Sequence, residues 1–325
     1  MLPVLVLIVT LAMLFDFING FHDTANAVAT SVSTRALSPR TAIVYAAGLN
    51  FAGAVASSGV AQTIGGGIAN PAVMPHGTEI VTAALISAIL WNLLTWYYGI
   101  PSSSSHTLIG SMAGAVVAGA GPEFLKWEGF SKIILILILS PIAAFIAGVI
   151  VTAVLRYVIG LVGSKSRTRL SRIFKMFQIA SAGLVSFSHG GNDAQKAMGI
   201  IVFGLVAADV QPDMNVPLWV KAGAAAAMAL GTSVGGWRII DTVGTKIVKL
   251  EPESGFASDL ASFIVIQTST ALKMPLSTTH VVSSAIIGTG SVIRLGEIRW
   301  STVVKNAAHM DHYHSGFRCP VLSGI

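Results

Sequence analysis

The chain has 325 residues, of which only 10% are charged, and its mean hydropathy is +0.75. A typical soluble domain has about 25% charged residues, so this chain cannot cover a water-facing surface in the usual way. The single cysteine, Cys319, excludes a disulfide-stabilised secreted scaffold. The net charge of +6 lies mostly in connections between apolar runs, so it does not indicate a nucleic-acid partner.

Long uncharged runs predict a polytopic helical membrane protein. About 20 apolar residues cross a bilayer as a helix, and the longest runs without Asp, Glu, Lys or Arg are 41–78, 80–122, 133–155 and 274–293. The first half offers five predicted spans, at 1–34, 41–64, 78–98, 101–121 and 131–161. The first run has neither a basic n-region nor a small-residue cleavage site, so we do not interpret it as a signal peptide.

A basic connection follows the fifth span. It carries no acid and five basic side chains, namely Lys165, Arg167, Arg169, Arg172 and Lys175. Such connections lie on the cytoplasmic side of a membrane. Because five crossings separate it from the amino terminus, we expect the amino terminus to lie outside, in a multi-pass protein of the cell membrane.

The second half begins on the inside and offers four further spans, at 173–208, 216–238, 257–272 and 275–293. Five basic residues fall on its expected cytoplasmic sides: Lys246, Lys249, Arg294, Arg299 and Lys305. The orientation of this half is therefore inverted relative to the first.

Two pairs of motifs indicate that the halves are an internal repeat. Residues 20–27 (GFHDTANA) align with 190–197 (GGNDAQKA), and residues 101–106 (PSSSSH) align with 275–280 (PLSTTH). Interrupted helices at equivalent places of inverted repeats build transporter sites near the bilayer midplane. We predict an all-α polytopic membrane protein of two inverted-topology repeats, each with about five membrane segments and discontinuous helices. The predicted parts are 1–161 (first repeat), 162–175 (basic cytoplasmic linker), 176–308 (second repeat) and 309–325 (anomalous tail).

The first motif pair places aspartates inside membrane segments. A carboxylate at the bilayer centre costs at least about 2.5 kcal/mol, so Asp23 and Asp193 should face a cavity or a cation. Asp23 and Asn26 share one helical face, and the neighbouring glycines are expected to interrupt the helix and expose carbonyl oxygens. A polar helix–helix contact is the alternative for Asn26 or Asn192 alone. The predicted coupling-ion or charge site comprises Asp23, Asn26, Asn192, Asp193 and Lys196.

The second motif pair is suited to an oxyanion. A proline followed by hydroxyl residues and an apolar run predicts a helix start, where unpaired backbone N–H groups attract anions. The predicted anion-binding hydroxyls are Ser103, Ser104, Ser105, Thr107, Ser277, Thr278 and Thr279. Ordinary N-capping explains either stretch alone, but the duplication favours convergence of both on one tetrahedral anion.

Four motifs in this order resemble the inorganic phosphate transporter (PiT) family, particularly its bacterial low-affinity branch. They are residues 18–27 (INGFHDTANA), residues 91–97 (WNLLTWY) with Gly99 to Gly110, residues 187–193 (FSHGGND) and residues 274–280 (MPLSTTH). The resemblance extends to about Asn306. It implies secondary transport of inorganic phosphate by alternating access, driven by a sodium or proton gradient, and a homodimer. It also implies that the two predicted sets of residues bind the coupling ion and phosphate.

Three rival functions were compared with transport. An intramembrane hydrolase would need one activated serine, whereas the chain offers two equivalent hydroxyl clusters, so we expect no enzyme and no cofactor. A cation channel built on residues 242–245 (TVGT) lacks the Tyr-Gly of a potassium filter. A divalent-metal carrier stays open, and it merges with the main hypothesis if the substrate is a metal-phosphate complex. Its ligands would be the two aspartates, His22, His189 and the two motif histidines, His106 and His280.

Lys196 indicates the coupling ion. It aligns with Asn26, where sodium-coupled members of the resembled family usually carry Asn in both halves. An ammonium has three donors and no acceptor, so it cannot ligate sodium, and we predict proton coupling with sodium as the alternative. Lys196 would instead pair with Asp193 or with phosphate, unless it snorkels to the interface.

The end of the chain departs from the repeat. An apolar segment should follow Trp300, but residues 306–320 are too polar and too short to cross a bilayer. Three histidines, His309, His312 and His314, offer a metal site. A frameshift or truncation explains the change in composition better, and it predicts that the last segment of the second repeat is missing.

Overall fold

The computed structural model describes residues 2–100, 102–162, 167–235 and 250–293. This part of the chain is almost entirely helical, and its β-pairing is limited to an isolated bridge between Ala69 and Leu125. Its α-helices in chain order are α1 Leu2–Ser33, α2 Pro39–Ala56, α3 Gly59–Ile68, α4 Gly77–Tyr97, α5 Ser104–Gly119, α6 Trp127–Val162, α7 Arg167–Ala207, α8 Leu218–Val234, α9 Pro252–Ala271 and α10 Thr278–Ile293. Short 3-10 helices at Pro71–Val73 and Pro122–Phe124 join them.

The surface of these helices is that of a membrane protein. Helices α1, α4 and α6 are long and apolar enough to cross a bilayer, and α2 with α3 forms a fourth such element if the bent pair is counted as one span. Only 28% of the most apolar window of α6 is buried within the protein. Since an apolar helix with so little internal contact needs an apolar solvent, the protein is an all-α polytopic membrane protein, as predicted.

The predicted span 41–64 is broken in the structure. Helices α2 and α3 meet at an angle of 67° across a short break, and Ser57 and Ser58 at this break have extended or irregular backbone. The first N–H groups of α3 are satisfied by another helix: the Gln195 side-chain oxygen accepts from the backbone N–H of Val60 at 2.7 Å and of Ala61 at 3.1 Å. A side chain of the second repeat thus stabilises a helix start of the first.

The predicted spans 78–98 and 101–121 form a helical hairpin of α4 and α5. At its base, a Cβ on Gly119 of α5 would contact Ile80 of α4, so the two helices are antiparallel. Its tip, which includes Ser102 to Ser105, is buried inside the protein. The 16 residues of α5 extend about 24 Å at 1.5 Å per residue, less than the ~30 Å hydrocarbon core.

Helices α9 and α10 repeat this hairpin in the second half. They pack against each other, and the tip residues Leu276 and Ser277 are buried. The turns of the two hairpins also match, because Gly99 has φ 66° and Lys273, at the equivalent position, has φ 59°. At both turns the backbone adopts the left-handed region of φ/ψ space, which glycine adopts readily and lysine rarely.

The two halves pack crosswise. Helix α2 of the first half lies against α7, and α8 of the second half lies against α1. The helix backbones touch each other directly. A Cβ on Gly53 would overlap the Phe187 carbonyl oxygen, and a Cβ on Gly231 would overlap the Phe17 carbonyl oxygen. Helix α6 likewise packs against α9 and α10. Small residues permit this close approach of membrane helices.

The predicted helix breaks beside the two aspartates are corrected. Helices α1 and α7 run without interruption through Gly20 and Gly190, where the sequence predicted breaks. A Cβ on Gly20 would meet the Met228 carbonyl, and one on Gly190 the Asn50 carbonyl. These glycines therefore serve close helix packing. Helix α7 begins at Arg167, within the predicted linker 162–175.

Several predictions fall outside the described residues. They concern Pro101, part of the basic linker (163–166), the basic residues Lys246, Lys249, Arg294, Arg299 and Lys305, the fragment 242–245, and the tail 309–325 with the missing last segment.

The crosswise packing makes a prediction for α2. Gly53→Ala should destabilise the protein by about 1–3 kcal/mol, because the added methyl group collides with a helix backbone that cannot move aside. Gly48, on the same helix, is exposed and has nothing within 4 Å of a Cβ. Gly48→Ala should therefore be neutral or slightly stabilising. Thermal unfolding of both variants in the same detergent tests this, and equal melting temperatures would contradict it.

Candidate functional site

The two motif aspartates meet where α1 and α7 pack together in the protein interior. Asp23 is 2% exposed and Asp193 is 0% exposed. One oxygen of each carboxylate and one ring nitrogen of His189 all lie within 4.8 Å of one another. Residues 170 positions apart in sequence thus share one site, as their equivalence in the repeat predicted.

Donors from both hairpins surround the Asp23 carboxylate. Ser104 donates to Oδ2 at 3.0 Å, and Thr279 donates to Oδ1 at 3.4 Å. His22 Nδ1 lies 2.8 Å from Oδ1. Since a carboxylate only accepts, Nδ1 carries a proton, and Nε2 lies 3.1 Å from the hydroxyl of Thr95 and 3.3 Å from that of Ser102. His22 thereby orients the Asp23 carboxylate.

The Asp193 carboxylate has a fixed counter-charge. Lys196 Nζ lies 2.8 Å from its Oδ2, and Thr278 donates to the same oxygen at 3.1 Å. Lys196 also donates to Ser104 at 3.2 Å, so it connects this carboxylate to the donor of the other one. The Lys196 side chain is completely buried and does not snorkel to the interface. Ser104 on Asp23 and Thr278 on Asp193 are equivalent contacts of the two repeats.

The predicted hydroxyl residues divide into two groups at the hairpin tips. Ser104, Thr278 and Thr279 contact the aspartates, as given above. The others make local or tip-to-tip contacts, which are Ser103 to the His106 N–H, Ser277 to the His280 N–H, Thr107 to the Ser103 carbonyl and Ser105 to the Leu276 carbonyl. Ser103 and Ser277 are thus N-caps of α5 and α10. The Ser105 contact, at 2.6 Å, joins the two tips directly.

The predicted asparagines have different partners. Asn26 donates to Thr279 at 2.9 Å and so belongs to the site. Asn192 donates to Thr270 of α9 at 3.0 Å, a contact that parallels the one between His22 and Thr95 in the first repeat. Asn192 is therefore held beside the site rather than in the group around the carboxylates.

The site has one part that attracts anions and another that attracts cations. Two hairpin helices begin here, with hydroxyls at their first turns and the positive ends of their dipoles directed inward. Two carboxylates lie against them, and one ammonium is the fixed cation among these side chains. An anion can gain several hydrogen bonds in this place, but it meets two like charges unless a cation accompanies it.

Sequence reasoning missed several buried polar residues of the interior. Asp16, Asn19 and Asn92 are completely buried and their side-chain oxygens and nitrogens lack hydrogen-bond partners. Asp259 accepts from Thr30 at 2.7 Å and from Ser181 at 3.2 Å. The sequence does mark Asp16, because it is a carboxylate within an apolar run. It was overlooked because the equivalent residue of the second repeat is Ser186, so no motif pair marks it.

The chain is similar to known proteins along nearly its whole length. Residues 19–309 match the phosphate transporter family. The chain is 50% identical over 298 residues to a "probable low-affinity inorganic phosphate transporter" of Bacillus subtilis, covering 91% of this chain and 89% of that protein. A protein of the same description in Rhizobium meliloti is 41% identical over 300 residues, covering 92% and 88%.

A solved structure shares the fold. The structure titled "The sodium-dependent phosphate transporter" superposes with a TM-score of 0.81 at 25% sequence identity, covering 94% of this chain and 93% of that one.

The buried ion pair makes a testable prediction. Lys196→Met leaves the Asp193 carboxylate buried without its counter-charge, which should cost about 3–5 kcal/mol of stability. The double variant Lys196→Met/Asp193→Asn removes both charges and should recover much of this loss. Lys132→Met breaks the exposed pair with Glu128 and should leave the melting temperature unchanged. Thermal unfolding in detergent compares the three, and a double variant no more stable than Lys196→Met would contradict the prediction.

Proposed function

The chain belongs to the phosphate transporter family, and from this membership we propose that it carries inorganic phosphate across the cell membrane by cation-coupled symport, with the proton as the coupling cation. The observation that carries the proposal is the buried group of hydroxyls and one ammonium at the tips of two hairpins, beside two carboxylates. The proposed orientation has the amino terminus outside, and the proposed assembly is a homodimer.

In this proposal phosphate binds between the hairpin tips. Ser104, Thr278 and Thr279 turn their hydroxyls from the carboxylates to the phosphate oxygens, and Lys196 supplies the fixed positive charge. The first turns of α5 and α10 add backbone N–H donors. Ser103, Ser105, Thr107 and Ser277 hold the tips in the shape that presents these groups. Some of these side chains belong to the first repeat and the others to the second. A movement of one repeat against the other therefore opens or closes the site.

The two carboxylates explain why transport needs a cation. Phosphate carries one or two negative charges and would lie beside Asp23 and Asp193 in a medium where like charges repel strongly. Binding of a cation removes part of this repulsion. A carrier that binds phosphate together with a cation therefore meets less repulsion than one that binds phosphate alone.

Lys196 favours the proton over sodium. Its ammonium lies 2.8 Å from Asp193 and stands where the first repeat has the amide oxygen of Asn26, but it offers no lone pair to a sodium ion. A buried carboxyl or histidine can carry a proton without any such ligand set. The sodium-dependent protein of similar fold is the argument for sodium, and a direct measurement decides between the two.

A divalent-metal cargo is the second candidate. Asp23, His189 and Asp193 offer three ligand atoms within 4.8 Å of one another, and a neutral metal-phosphate complex would satisfy both halves of the site. Against it, the ammonium of Lys196 on Asp193 competes with a divalent cation. A requirement for Mg²⁺ in phosphate uptake, and for phosphate in metal uptake, would favour this candidate.

The first functional prediction concerns the aspartates. Asp23→Asn and Asp193→Asn each remove a charge that couples phosphate to the cation, while keeping shape and most hydrogen bonds. Each should abolish gradient-driven uptake of labelled phosphate into proteoliposomes, with a normal elution profile of the folded protein. Asp209→Asn is the matched control, because Asp209 is exposed and has φ 56°, which asparagine tolerates. Normal uptake by both site variants would refute the assignment.

The second functional prediction concerns the coupling ion. In proteoliposomes with a proton gradient and no sodium, phosphate should accumulate, and dissipating the proton gradient should stop accumulation. A sodium gradient imposed at equal pH on both sides should have no effect. Accumulation that depends on sodium and ignores the proton gradient would replace the proton by sodium in the proposal.

A further inference from the structure

Asp16 is a third buried carboxylate close to the site, and it differs from the other two. It lies on α1 two turns before Asp23, so both residues face the same side of the helix. Asp23 and Asp193 each accept hydrogen bonds that stabilise the ionised form. Asp16 is 0% exposed, neither of its oxygens makes a hydrogen bond of normal geometry, and the Asn19 amide is the uncharged side chain that interacts with it. A buried carboxylate with so few donors is costly, whereas a protonated carboxyl is tolerated.

An uncharged neighbour of Asp16 suits both protonation states. Asn19 lies one turn along on the same face of α1 and interacts with Asp16. Its side chain is completely buried. An amide can donate to a carboxylate and accept from a carboxyl proton, so Asn19 can accommodate Asp16 before and after protonation.

The charged neighbours of Asp16 are those of the site. Asp193 and Lys196, both on α7, interact with it electrostatically. The other titratable groups of the site are His22 and Asp23 on the same helix and His189 on α7. Helix α8 packs against this part of α1 through apolar residues such as Met228.

These observations define an electrostatic link. Among the carboxylates and the ammonium, three negative charges stand against one positive charge, and phosphate adds to this excess. Protonation of Asp16 removes one negative charge without disturbing a hydrogen bond of Asp23 or Asp193. We propose that the Asp16 carboxyl carries the transported proton, a step that rests on the proposed proton-coupled phosphate symport. The carboxylate takes up a proton from the outer side as phosphate binds, and it releases the proton to the cytoplasm after phosphate has left.

Asp16→Asn tests the proposal because it mimics the protonated carboxyl permanently. A carrier fixed in this form should still exchange labelled for unlabelled phosphate across the proteoliposome membrane, since exchange needs no return of the deprotonated carrier. It should fail to accumulate phosphate against a gradient when driven by a pH difference, and its exchange should lose the pH dependence of the wild type. Asp16→Glu should restore accumulation. Ser186→Ala, at the equivalent position of the other repeat, is the control and should behave like the wild type.

Each outcome bears on the proposal separately from the proposed function. If Asp16→Asn accumulates phosphate with the proton gradient, or if it loses exchange together with accumulation while Asp16→Glu is equally inactive, Asp16 is not the proton carrier. A wild type that neither exchanges nor accumulates phosphate refutes the phosphate symport itself. A wild type driven by sodium alone refutes proton coupling, and with it this role of Asp16.

Discussion

The cost of charge in a membrane interior is the constraint on which the rest of the structure depends. Asp23 and Asp193 are buried where a carboxylate without partners would be unstable. The structure meets this cost by bringing hydroxyls to them from two hairpin tips and an ammonium from α7. The same donors are those that an anion can use. A site that must neutralise its own carboxylates is thereby prepared to exchange internal hydrogen bonds for those of a substrate.

The crosswise packing of the halves follows from the same requirement. Each carboxylate receives a hydroxyl from the hairpin of its own half, and Asp23 also receives Thr279 from the other half. Such convergence needs helices in very close contact, which Gly53 and Gly231 permit because their backbones touch the neighbouring helices. Glycine lowers the local stability of these helices, but it permits the short interhelical distance. The broken helix at Ser57 and Ser58 has a related origin, since Gln195 of the other half satisfies the new helix start.

Sequence patterns predicted the class of the protein and the main site pairs, but not the course of every helix. Apolar length identified the membrane helices, although it could not show that α4 and α5 form a hairpin whose tip is buried inside the protein. Glycine beside Asp23 predicted a break, whereas Gly20 lies within a continuous helix that packs on α8. Gly at a helix position signals either a break or a close approach, and only the neighbouring helix decides which. The anion-binding role of the hydroxyls and the bounds of the repeats stay predictions.

The sequence by itself determined that the protein is polytopic, that its halves are related, that Asp23 and Asp193 are equivalent, and that the family is one of phosphate transporters. These properties are carried by composition, by local motifs and by their order, which need no knowledge of distances. Only the tertiary structure decided that Lys196 pairs with Asp193 and contacts Ser104, that Ser105 joins the two tips, and that Asp16 is completely buried. Such contacts join residues far apart in the chain, and they exist only because helices of opposite halves pack together.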